Sequence, residues 1–102
     1  MIDLIEQHQT ELRSLCRRHH VKTLEVFGSA AEGSFDSTRS DLDFLVDYLP
    51  LKPSEHTDAY FGLLHDLEEL FRRKIDLVET TAINNPYLLK AVNQSRRVLY
   101  AA

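Results

Sequence analysis

Apolar residues recur along this chain with two periods, and the changes between them mark out its elements. Over residues 2–20, Ile5, Leu12, Leu15, Cys16 and His19 follow helical spacing, which predicts one amphipathic helix. Residues 21–27 read as a strand, with Val21, Leu24 and Val26 supplying apolar surface. That strand stops abruptly at Gly28-Ser29, and Ser29-Ala30-Ala31-Glu32 reads as the first turn of a short helix opened by the serine. Residues 33–40 are polar and turn-rich, hence a loop.

Residues 41–47 alternate as a second strand. Leu42, Phe44 and Val46 fall on one face, and Asp41, Asp43, Leu45 and Asp47 on the other. Prolines at 50 and 53 mark a connection, after which Ser54 can cap a long helix running to about Arg73. Its apolar positions are Phe61, Leu64, Leu67, Leu70 and Phe71, flanked by Tyr60 and Leu63. Residues 74–79 form a third strand, with Ile75 and Leu77 opposite Asp76 and Val78. Residues 80–85 make a turn, and Pro86 suits the first position of a last helix. Residues 97–100 fit either a final edge strand or the end of that helix. Helices and strands alternate, so the class is α/β or α+β with one small sheet.

Composition narrows the possibilities without naming one. At 102 residues the chain, 1–102, is expected to be a single domain, because two separate cores would each be too small. Hydrophobic content of 43% and charged content of 27% are those of a globular protein, which argues against disorder. The lone Cys16 cannot form an internal disulfide and suits a reducing, cytoplasmic setting. The N-terminus mixes charges into its apolar positions, unlike a signal peptide, and no run is long enough to span a membrane. A net charge of −4 argues against strong nucleic-acid binding. It leaves room for one nucleotide held through a metal ion, since the metal brings positive charge with it.

The chemistry concentrates in the acids of the second and third strands. Asp41 and Asp43 lie two apart on a strand, so both project from one face, and their carboxylates repel unless a cation lies between them. Aspartate is also a poor strand former. Asp76 places another acid inside the apolar stretch Lys74-Ile75-Asp76-Leu77-Val78. Neighbouring strands would bring these three carboxylates together. Magnesium takes oxygen ligands of this kind, commonly one or two carboxylates plus substrate phosphates. Gly28 allows close backbone approach to a phosphate, and Ser29 opens a helix whose N–H groups face an anion.

Gly28-Ser29, a spacer of eleven residues, then Asp41-Leu42-Asp43 resembles the signature of the DNA-polymerase-beta-like nucleotidyltransferase superfamily. Phe27-Gly28-Ser29, Ser40-Asp41-Leu42-Asp43-Phe44-Leu45-Val46 and Lys74-Ile75-Asp76-Leu77-Val78 are similar to its minimal branch, whose members are often antitoxins paired with a HEPN-domain toxin. The resemblance implies a mixed sheet flanked by helices, with ATP and magnesium (two ions) at its edge. It assigns metal binding to Asp41 and Asp43, and it gives Asp76 to the metal site and to activation of the attacking hydroxyl. Gly28 and Ser29 map to the triphosphate turn. It further implies transfer of AMP to a tyrosine of the toxin. One position departs from the family: its turn reads Gly-Ser-x-Ala-Arg-Gly, often with a further arginine at x, where this chain has Glu32 and Ala30. Arg39 and Lys74 are the nearby cations that would compensate, Arg39 as a nucleotide-binding residue.

Plainer readings exist for each feature. Asp41, Asp43 and Asp76 taken singly fit surface acids, Gly28 an ordinary turn, and Ser29 a simple helix cap. A calcium loop starting at Asp36 fails, because Asp41 occupies the position that needs glycine. Cys16 and His20 share a helical face, yet no second pair at metal spacing completes a zinc site. The runs Arg17-Arg18-His19-His20 and Arg72-Arg73-Lys74 complement helix dipoles. Tyr87, Leu88, Leu89 and Val98-Leu99-Tyr100 suit either a partner surface or closure of the core. Three functions follow: a magnesium-dependent protein adenylyltransferase, favoured by the three aspartates; a binding module that neutralises its partner by contact alone, favoured by Glu32; or modification of a small molecule such as an aminoglycoside, disfavoured because larger relatives that do this carry an added domain to hold the acceptor.

Overall fold

The computed structural model describes residues 3–32 and 41–102. Its centre is a four-stranded mixed sheet in the order β3-β2-β1-β4. The strands are β1 (Val21–Phe27), β2 (Leu42–Tyr48), β3 (Ile75–Glu79) and β4 (Arg97–Ala101). β1 runs antiparallel to both β2 and β4, while β2 and β3 are parallel. A parallel pair needs a crossover, and the long helix between β2 and β3 supplies it. The helices are α1 (Asp3–Glu6), α2 (Gln9–Arg18), α3 (Ser29–Glu32), α4 (Pro53–Phe71) and α5 (Pro86–Ser95), with one 3-10 turn at Thr80–Ala82. The α+β architecture expected from the alternation is therefore observed, and 97–100 resolves as the edge strand. Among the described residues, no helix is long and apolar enough to cross a membrane.

Alternation in the strands sorts side chains into two unequal layers. Leu42, Phe44 and Val46 of β2 face α2 and α4, joined by Leu24 and Val26 of β1 and Ile75 and Leu77 of β3. Leu12 and Cys16 of α2 and Leu63, Leu67 and Phe71 of α4 close this larger core. Burial pushes the Cys16 thiol up to about 12, so it is a packed, inert group rather than a nucleophile. On the other face Phe27, Leu45 and Val92 of α5 form a smaller cluster. That cluster explains why Leu45, on the aspartate side of β2, is 1% exposed.

Several expectations are corrected. The single N-terminal helix is two, because the ring of His8 donates from Nδ1 to the Leu4 carbonyl at 2.8 Å and packs edge-on against Phe71. That bond diverts the chain between α1 and α2. Helix α4 is capped at Lys52 rather than Ser54: Pro53 takes the first turn, and the Glu55 carboxylate accepts the Lys52 backbone N–H at 3.1 Å. Its buried stripe is Ala59, Leu63, Leu67 and Phe71, at a spacing of four. Phe61 lies off that stripe and is 61% exposed. Arg18 and His19 do more than complement a dipole: Arg18 Nη1 and His19 Nε2 bond Asp66 Oδ2 of α4 at 3.1 and 2.6 Å. Tyr87 is 84% exposed with Leu88 and Leu89 beside it, whereas Leu99 is buried.

Candidate active site

Three strand ends meet at one end of the sheet. Phe27, last in β1, pairs with Asp43 in β2, and Asp43 pairs in turn with Asp76 of β3. In-register partners on adjacent strands project to the same face, so the sheet topology brings Asp43 and Asp76 together. Asp41 lies two residues before Asp43, at the mouth of β2, where it is exposed and faces Lys74 Nζ at 3.9 Å. Lys74 thus reaches the acidic cluster. Asp76 is exposed on the rim, and Asp43 is half-buried.

Burial and the crowding of like charge act together on Asp43. The Asp43 carboxyl is raised to about 6, first by burial and then by the charges of Asp76 and Asp41. A cation would reverse each of these penalties. Among the described residues, no three acids, histidines or cysteines already converge as a metal cage. The donor set still fits magnesium, which is commonly held by one or two carboxylates and completed by phosphate oxygens and water. The zinc alternative has no support, because Cys16 is sealed in the core.

Gly28 forms the wall opposite β3. Its φ of +72° is one that side chains rarely adopt. A Cβ built there would stand 2.6 Å from Asp43 Oδ2, so glycine is needed for space as well as for conformation. Ser29 then opens α3, and Ala31 donates back to the Gly28 carbonyl at 3.1 Å. Ala30 is fully buried in the larger core, so the variable position of the turn does not face the site in this chain. Arg39 and the Glu32 side chain lie outside the described residues.

The carboxylates and the glycine turn were legible as residues; two of their supports were not. Ser95, at the end of α5, accepts the Gly28 N–H at 2.9 Å from 67 positions away. Arg96 grips Glu25 of β1 with its guanidinium fork, Nη2 to Oε1 at 2.9 Å, and that carboxylate holds the guanidinium's proton more firmly. No local pattern marks either pair, because each is made by the chain folding back on itself.

The model of the nucleotidyltransferase domain matches residues 8–99. This chain belongs to the nucleotidyltransferase domain family. A relative in Methanocaldococcus jannaschii, named as a candidate protein adenylyltransferase, is 32% identical over 94 residues, covering 90% of this chain and 87% of its own. A solved structure described as a candidate minimal nucleotidyltransferase superposes with TM-score 0.67 at 28% identity, over 94% of this chain and 95% of that one. The MNT antitoxin of Shewanella oneidensis, solved in complex with its tri-AMPylated HEPN toxin, shares the fold at TM-score 0.65 and 18% identity, over 96% of this chain and 73% of that one. The nucleotidyltransferase fold is thus that of the minimal branch, and the family's reaction is nucleotidyl transfer.

Proposed function

We propose that this nucleotidyltransferase moves AMP from ATP to a protein hydroxyl, a tyrosine on a HEPN-domain toxin, and so acts as an antitoxin in the cytoplasm. The observation that carries the reading is the register of Asp43 with Asp76 across β2 and β3, with Asp41 entering the same face. Asp41 and Asp43 would hold magnesium, with Asp76 completing the set. Gly28 and Ser29 would border the triphosphate, and Arg39 is carried over as a nucleotide-binding residue.

In the transfer, the acceptor oxygen attacks the α-phosphorus and the bond to the β-phosphate oxygen breaks. Pyrophosphate leaves, and the hydroxyl proton passes to Asp76. Magnesium, when bound, would supply the positive charge that this cluster lacks and stabilise the departing pyrophosphate. Asp43 would enter the reaction as a partly desolvated ligand, bordered by the bare backbone of Gly28 and repelled by Asp76. Lys74, beside Asp41, offers a cation at the rim. The relatives' names support protein as acceptor, and the AMPylated toxin in the Shewanella complex supports the HEPN partner. Exposed Tyr87, Leu88 and Leu89 on α5 are the candidate contact surface on this chain.

Glu32 favours a second reading, neutralisation by contact without transfer, since an acid stands where the family has arginine. Label placement separates the two. The chain is co-purified with its partner and given ATP labelled at the α- or the γ-phosphate. Transfer puts α-label alone on the partner; a stable complex that takes up neither label supports the contact-only reading.

A further inference from the structure

We propose that Ser95 is a positioning residue of the nucleotide site, its buried hydroxyl holding the Gly28 backbone against Asp43. The proposal rests on the nucleotidyl-transfer reading above. Ser95 is 2% exposed, the one polar residue buried as a whole among the described residues. A hydroxyl in such a place needs partners, and alanine would fill the space without that demand.

Its two hydrogen bonds give it a direction. Ser95 Oγ donates to the Ala91 carbonyl one turn back in α5, at 3.4 Å. The proton being spent there, the oxygen lone pairs are left for the Gly28 N–H, which reaches them at 2.9 Å. Gly28 is the residue whose left-handed backbone leaves room for Asp43 Oδ2 and no room for a Cβ. The chain of contacts therefore runs from α5 through one backbone N–H to the carboxylate.

The anchor is itself fixed. Val92 packs on Phe27 and Leu45, and Arg96 clamps Glu25 on β1. The end of α5 thus sits on the sheet face that carries Asp43. Releasing the Gly28 N–H leaves α5 in place and frees the turn. Asp43 then loses the wall that restricts its carboxylate, and a metal ligand that must find its geometry on binding binds less tightly.

The test compares the full chain with Ser95→Ala and Ser95→Thr in three measurements: magnesium-ATP binding by calorimetry, thermal melting, and hydrogen exchange at the Gly28 amide. Loss of an outer support to a metal ligand predicts magnesium-ATP binding weakened about tenfold in Ser95→Ala. Melting should fall by several degrees, the cost of one unpaired N–H, and the Gly28 amide should exchange faster by at least about tenfold, as an N–H that has lost its acceptor does. Threonine keeps the hydroxyl and should restore both binding and protection. Ser95→Ala binding as tightly as the parent, or unchanged Gly28 exchange, overturns the positioning role while leaving the nucleotide site standing. Binding lost in step with melting, and not rescued by threonine, overturns it in favour of packing alone. A parent chain that binds no magnesium-ATP overturns the nucleotide reading itself, and this proposal with it.

Discussion

Gly28 and Asp43 approach so closely that a methyl group on the glycine would lie 2.6 Å from the aspartate's Oδ2. The chain therefore closes one side of its most buried site carboxylate with bare backbone. Gly28→Ala meets both that contact and a φ of +72°. Stability should fall by about 1–2 kcal/mol from the strained backbone. AMP transfer should fall at least about a hundredfold, because the reacting groups are displaced. Chemical denaturation and a transfer assay read the two effects separately.

Asp43→Asn should separate function from stability. Asparagine conserves volume and, by removing a charge from the proposed metal site, should abolish transfer. It also relieves the burial and repulsion that raise the carboxyl to about 6. The variant should be more stable than the parent at pH 7.5 by about 1 kcal/mol, once solvent screening of this half-exposed group is allowed for. Denaturation midpoints of the two proteins check it; a less stable variant contradicts the electrostatic account.

The same shift fixes a pH dependence. The folded-state value of about 6 lies above the ordinary carboxylate value of 3.8, so the folded chain takes up a proton between them. Asp43's contribution to stability is thus present in full below about pH 4 and lost as pH rises through about 6. Metal binding runs the other way, because a cation competes with that proton. Affinity for magnesium alone, measured without ATP so that the nucleotide's titration does not enter, should rise between pH 5 and about 7 and then level off. Asp43→Asn should flatten that rise. Among the described residues, Asp41, Asp76 and Lys74 are charged groups that face this carboxylate or its neighbour and remain in the variant.

Gly62 sits inside α4, where alanine would ordinarily gain about 1 kcal/mol. A Cβ there would stand 2.7 Å from His19 Cε1, and that ring bonds Asp66. Gly62→Ala should therefore destabilise the chain by about 1–2 kcal/mol by pushing the ring off its carboxylate. Combined with His19→Ala, the same change should become stabilising. The cycle is read by thermal melting.

Much of this arrangement was legible from residue order, and the parts that were not share a cause. β1 could be read from Val21, Leu24 and Val26 and β2 from apolar residues alternating with Asp41 and Asp43, and those aspartates stand out by their unsuitability to a strand. The stripe of α4 was misread because Ala59 is too small to register as an anchor, which shifted the face toward Phe61. The break at His8 depends on a side chain reaching its own backbone and on Phe71 far along the sequence. The last strand was ambiguous until β1 offered a free edge. Ser95 and the Glu25–Arg96 clamp are invisible in sequence, since a serine or an arginine near a helix end has many uses and only the fold selects one.

Whether three aspartates form a magnesium-nucleotide site is answered most directly by calorimetry. ATP is titrated into the purified chain with and without magnesium, and into an Asp41→Asn/Asp43→Asn variant. The account predicts binding that requires magnesium and is lost in the variant while its fold persists. Equal binding by the folded variant, or none by the parent, would contradict it.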